Sequence, residues 1–229
     1  MKFTPGPAIA AASGSIGGTV FSRNRYGAYT RNRAIPITVT SEAAIAAKAR
    51  LAGLSADWQT LTAAQKRAWT AWAQNNPQTD ALGQVQVLTG HAAYVGLNSR
   101  ILLVAGTQID VPPIVPVPEA LETITLTADI GAGDFEIAYT PTPCAAGVAI
   151  AYKACVVDSP GINYVSNLLR FITVGAAAGA SPLDIETAMG NRFGSFQVGQ
   201  TVHVWVAQMH LASGQIGPYI RSSVLVTTT

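Results

Sequence analysis

The sequence predicts a multidomain α+β chain: an extended basic N-terminal arm, a small helical module, and a C-terminal β-sandwich of the immunoglobulin or fibronectin type III kind. Three observations lead there. Residues 1–40 hold seven glycines and prolines before position 28 and sustain neither a helical nor a strand period. Residues 41–110 carry helix-start signals and three tryptophans within fifteen positions. From Leu121 onward, short alternating segments recur with turn residues between them. The expected divisions are an arm at 1–40, a helical module at 41–110, a linker at 111–118 and a sandwich at 119–229.

In the arm, Gly14, Gly17, Gly18 and Gly27 break any helix. The run Gly14-Ser-Ile-Gly17-Gly18 matches a phosphate loop only loosely, because no Lys-Ser/Thr pair follows it and no strand precedes it. Phe21, Arg23 and Arg25 alternate with Ser22, Asn24 and Tyr26, and Gly27 turns the chain. Tyr29, Arg31 and Arg33 form a second alternation, so a hairpin or extended arm is expected. Its apolar surface is too small for a core of its own, which calls for a partner or leaves it disordered.

Ser41 reads as the N-cap of a first helix, with Glu42 at the positive end of the dipole and Ile45, Ala49, Leu51 and Leu54 along one side. Thr62-Ala-Ala-Gln65 is a capping box opening a second helix past Trp69 and Trp72, which ends before Pro77. Trp58, Leu61, Ala68 and Trp72 fall near helical spacing, and the tryptophans read as the nucleus of a very small domain. Each can bury roughly 150–250 Å². Asp80 and Gly83 mark a turn before a short strand at 84–88, and Thr89 caps a third helix that ends near Gly106. Four prolines in 111–118 make a stiff extended connector, expected to hold the next domain outward.

Seven strands are expected beyond it, at 123–128, 135–139, 148–157, 168–174, 195–198, 201–209 and 219–227, with a turn at 131–134. Trp205, within Val-His-Val-Trp-Val, is expected in the sandwich core. The insert at 182–189 reads as a helical turn or a long loop.

Charged residues are only 11% of the chain. A surface so poor in charge favours association, so an assembled protein and a homo-oligomer are expected. Residues 1–118 hold ten Lys and Arg against four acids (+6), and residues 119–229 hold four against eight (−4), giving the net +2. The two halves, or the halves of neighbouring copies, attract each other. No run reaches the ~18–20 apolar residues of a membrane span, and no signal-peptide core follows Lys2. Synthesis in a cytoplasm without insertion is expected there. Cys144 and Cys155 make neither a disulfide framework nor a metal site. They read as buried thiols, or as a bridge if they face each other on paired strands.

Catalytic chemistry finds little support. His203 and His210 lie seven apart on one presumed strand and so face opposite sides, while His91 stands alone. No Gly-x-Ser-x-Gly elbow occurs and the acids are scattered, so no enzyme activity, cofactor or metal is expected. The concentrated signal is the arm: Phe21, Arg23, Arg25, Tyr26, Tyr29, Arg31 and Arg33. Arginine interleaved with aromatics suits a protein partner. It also suits single-stranded nucleic acid through phosphate contacts and stacking, although only four arginines and no lysine run are present.

The run Gly18-Thr-Val-Phe-Ser-Arg-Asn-Arg-Tyr-Gly-Ala-Tyr-Thr-Arg-Asn-Arg-Ala-Ile-Pro36 resembles a module of virion structural proteins of tailed phages and prophages. Trp58-Gln-Thr-Leu-Thr-Ala-Ala-Gln-Lys-Arg-Ala-Trp69-Thr-Ala-Trp72-Ala and Gly90-His-Ala-Ala-Tyr94-Val-Gly-Leu-Asn98 resemble its later parts. The similarity spans about residues 14–106. The C-terminal half resembles the immunoglobulin-like domains that phages append to capsid and tail proteins. The resemblance implies a virion component, made in the host cytoplasm, that docks on major capsid or tail proteins as a decoration or head–tail associated part. Two rivals stay open: a host- or glycan-binding adhesin using the sandwich loops, and a nucleic-acid binder using the arm.

Overall fold

The computed structural model describes residue 2 and residues 12–34, 41–79 and 83–228. The expectations for the rest of the arm (1, 3–11 and 35–40) and for a turn residue at Asp80 lie outside the described residues. The protein is mixed α and β, with four helices and several antiparallel sheets among those residues. It separates into two compact units, Met1–Val95 and Gly96–Thr229. The division falls inside the third helix, upstream of the Pro-rich segment at 111–118.

The first unit begins with β1 (Gly14–Ile16), β2 (Thr19–Asn24) and β3 (Gly27–Asn32), a meander in that order. Two-residue loops join the strands. Gly17 takes φ 57° in the first, which only glycine adopts without strain, and Gly27 takes φ 108° just after the second. The Tyr26 N–H donates to Asn24 Oδ1 at 2.9 Å and tightens that second loop.

Helix α1 (Glu42–Thr60) follows, then α2 (Ala63–Asn75), a two-strand ribbon of β4 (Gln78–Thr79) and β5 (Val85–Gln86), and α3 (Gly90–Leu103). Ser41 does not cap α1 with its hydroxyl. Its backbone oxygen accepts from the Ala44 and Ile45 N–H groups instead, both at 3.0 Å. Thr62 forms the expected capping box: its Oγ1 accepts from the Gln65 N–H at 3.3 Å, and Gln65 Oε1 accepts from the Thr62 N–H at 2.8 Å. Thr62→Ala removes half of that exchange and is expected to cost about 1 kcal/mol. Urea unfolding followed by tryptophan emission checks this, since Trp58, Trp69 and Trp72 all report on this unit.

The three tryptophans do not share one helix. Trp58 lies on α1, and Trp69 and Trp72 on α2, because α1 runs on to Thr60. Only Trp69 is fully buried, with Tyr94, Leu54 and Ala73. Tyr94 sits 5.4 Å from both Trp58 and Trp69, meeting Trp69 edge-on at 84°. Thr89 Oγ1 caps α3 by accepting from the Ala92 N–H at 3.0 Å. Gly90 is required there, since a Cβ would stand 2.8 Å from the Thr70 backbone nitrogen.

The second unit carries β6 (Thr123–Asp129), β7 (Asp134–Thr140), β8 (Val148–Val157), β9 (Arg170–Val174), β10 (Leu183–Asp184), α4 (Glu186–Phe193), β11 (Thr201–His210) and β12 (Ile220–Leu225). One sheet has the order β10-β7-β6 and the other β12-β11-β8-β9. A single apolar core joins them: Leu126, Phe135, Ile137 and Tyr139 from the first, and Ile150, Tyr152, Val202, Val204, Val206 and Val226 from the second. Ile185 and Met189, at and within α4, close one side of it. The expected strand at 195–198 is not one. Phe196 there stacks on Phe135 at 4.5 Å, capping the core as a side chain, and the two-residue β10 takes the place in the sheet.

Trp205 is not in that core. Val202, Val204 and Val206 of β11 point into it, so by alternation Trp205 stands on the opposite face, and it is only half-buried. The Pro-rich segment is not free of this unit. Val115, Pro116, Val117 and Pro118 line a groove of about 470 Å³ with Pro141, Val148 and His210.

Candidate functional site

The arm sheet has no buried side chain among the described residues. Register across β2 and β3 sorts its candidate residues. Phe21 lies opposite Thr30 and Arg23 opposite Ala28, on one face. Tyr29, opposite Ser22, and Arg31, opposite Val20, take the other face. Arg25 and Tyr26 form the loop, and Arg33 follows β3 with its N–H donating to the Gly18 oxygen at 2.7 Å. Four arginines expected to act together are thus spread over two faces, a loop and an edge. Phe21, Tyr26 and Tyr29 are half-buried, whereas all four arginines are exposed.

A second cluster was not foreseen. In the second unit, Lys153 of β8, Trp205 of β11 and Arg221 of β12 are register partners in one row across the sheet, on the face away from the core. The Arg221 guanidinium lies 4.1 Å over the Trp205 ring, and Lys153 Nζ lies 4.6 Å over Tyr219. Trp205 and Tyr219 are 6.3 Å apart, and Arg100 donates to the Gly214 oxygen at 3.1 Å. The rings help hold three cations close together, because a positive charge is attracted to an aromatic face. Burial lowers the pKa of Lys153, and the like charge of Arg100 lowers it further. Burial likewise lowers Arg100, with Tyr219 pulling the other way.

Along the same face, the connection between β8 and β9 folds back over the sheet. Val165 and Leu169 pack on Cys155 and Val157 there. Beneath this cover His203, the register partner of Cys155, is 8% exposed. Burial lowers its pKa, opposed by a hydrogen bond to the Ile162 backbone, and its Nε2 has no hydrogen-bond partner. Between the fold-back and β12 opens a cleft of about 460 Å³ lined by Tyr164, Ser166, His203, Trp205, Arg221 and Ser223, among others.

Of the other expectations, Cys144 and Cys155 are free and buried, and burial raises the Cys155 pKa while Arg170 opposes it. His203 and His210 both lie on β11 with opposite parity, as expected. Among the described residues, no three His, Cys, Asp or Glu side chains gather as metal ligands, and no helix is long and apolar enough to cross a membrane. Comparison with protein-family models, with curated proteins and with solved structures finds no match to the chain.

The Lys153–Trp205–Arg221 row was out of reach of sequence reasoning, because its members are far apart and only strand register aligns them. One signal was present. Odd positions of β11 carry His203 and Trp205 between core valines, which marks a second, chemically distinct face.

Proposed function

We propose that the chain is a non-enzymatic structural protein of a phage virion, a capsid decoration or head–tail associated part. It docks on a repeated lattice of major capsid or tail proteins through its arm and helices, with copies of itself as neighbours. The observation that carries this is the arm: three paired strands with half-buried Val20, Phe21 and Tyr29, exposed Ile16 and no buried residue among those described. A sheet is stable when one face is buried against another layer. Here both faces offer aromatic and arginine side chains, the residues richest in binding energy at protein interfaces. Spreading the arginines over two faces suits a sheet clasped by protein better than a single basic track for nucleic acid.

The second unit is read as an immunoglobulin-like sandwich of the fibronectin type III kind. Its strand succession supports this: two strands in one sheet, two in the other, the fifth back in the first and the last two in the second. Such a domain serves as the module displayed by the docked part.

Deleting residues 1–40 tests the docking. Particles assembled with the truncated chain should lack it entirely, while circular dichroism of the purified truncation keeps its β signal. A double variant, Phe21→Ala with Tyr29→Ala, removes one aromatic from each face and should lower occupancy at least tenfold. Normal incorporation of either form would sink the reading.

A further inference from the structure

We propose that the cleft on the outer face of the β12-β11-β8-β9 sheet binds an acidic saccharide: Arg221 takes its carboxylate, Tyr164 stacks on a sugar ring, and His203 Nε2 accepts a sugar hydroxyl. The cleft, at about 460 Å³, falls in the roughly 300–1,000 Å³ range of small-molecule sites. Three features select the ligand.

The first is the cation. Arg221 is held flat on Trp205, and none of the residues lining the cleft is a carboxylate. A guanidinium fixed in this way presents a planar fork of N–H donors suited to a carboxylate. Lys153 stands in the same cross-strand row, so the face accumulates positive charge within a half of the chain that is net acidic.

The second is His203. It is 8% exposed and leaves Nε2 without a partner, although buried polar atoms are nearly always paired. With the ring neutral and bonded to the Ile162 backbone, Nε2 is an acceptor. A bare anion brings no donor to it. The ligand must carry hydroxyl or amide hydrogens as well as a negative charge.

The third is the aromatic surface. Tyr164 is 78% exposed at the cleft rim, whereas Arg221 already covers a face of Trp205. One open ring surrounded by Ser166, Ser223 and Asn163 matches the apolar face and hydroxyl rim of a sugar. A run of stacked nucleobases needs successive open rings. This site is independent of lattice docking, because it uses neither the arm nor α1 and α2.

Calorimetric titration of the full chain with tetragalacturonate tests the proposal, with its fully methyl-esterified form and the tetranucleotide dT4 as comparisons. The acid is expected to bind at least tenfold more tightly than the ester and than dT4. Arg221→Met should abolish that preference. Tyr164→Ala, at an exposed position that cannot disturb the core, should weaken the acid at least fivefold. No binding of the acid at millimolar concentration, equal binding of acid and ester, preference for dT4, or an unchanged Tyr164→Ala affinity would each overturn it.

Discussion

Replacing Gly214 by alanine is expected to lower the melting temperature of the second unit by roughly 10 °C, the consequence of a loss of about 3–4 kcal/mol. Two penalties combine. Gly214 has φ 68°, the left-handed region, which costs a residue with a Cβ about 1–2 kcal/mol. The added carbon would also collide with the Leu97 carbonyl oxygen and stand 3.0 Å from Ile101 Cγ1. Neither neighbour can yield, because Leu97 is 5% and Ile101 0% exposed. Nearby, Asn98 fixes the chain leaving α3: its Oδ1 accepts from the Ile109 N–H at 2.8 Å, and its Nδ2 donates to the Ile109 oxygen at 3.0 Å. Gly199→Ala is the control, with φ 91° but nothing within 4 Å of a Cβ. It should cost only the backbone term. Scanning calorimetry decides the matter, and equal losses in the two variants would show that the contact with α3 carries no weight.

Trp69→Ala is expected to cost about 3–5 kcal/mol and to melt the helical part of the first unit. Trp69 is 0% exposed and lies 5.4 Å from Tyr94 and 6.1 Å from Trp72. Truncation therefore opens a cavity between helices that are otherwise held by few large side chains, and it removes edge-to-face ring contacts besides. Trp72, half-buried at the rim, should cost markedly less as alanine. Helical circular dichroism on heating separates the cases. A Trp69→Ala variant no less stable than Trp72→Ala would mean that the aromatic cluster is not the nucleus of this unit.

Local signals carried much of the fold. The capping box at Thr62, the Thr89 cap and the strand at 148–157 stand where short-range chemistry places them, since caps and alternation depend on neighbours a few residues away. The failures share a different origin. Ser41 has the right identity for a cap, yet its backbone oxygen does that work. Residues 195–198 alternate like a strand, yet Phe196 is drawn onto Phe135. Trp205 looked like core by hydrophobicity, and parity with its valine neighbours turned it outward.

The sequence by itself determined the α+β composition, the order of arm, helices and strands, the uneven charge and the Arg/Tyr content of the arm. Each of these is set by residue type and close spacing. Only the tertiary structure decided which residues act together. Strand register divided the arm arginines between two faces and drew Lys153, Trp205 and Arg221 into one row, and the fold-back of the β8–β9 connection left His203 buried beside a cleft. Register and fold-back are long-range choices, made by burying the most apolar surface of the whole unit, so no local stretch of sequence encodes them.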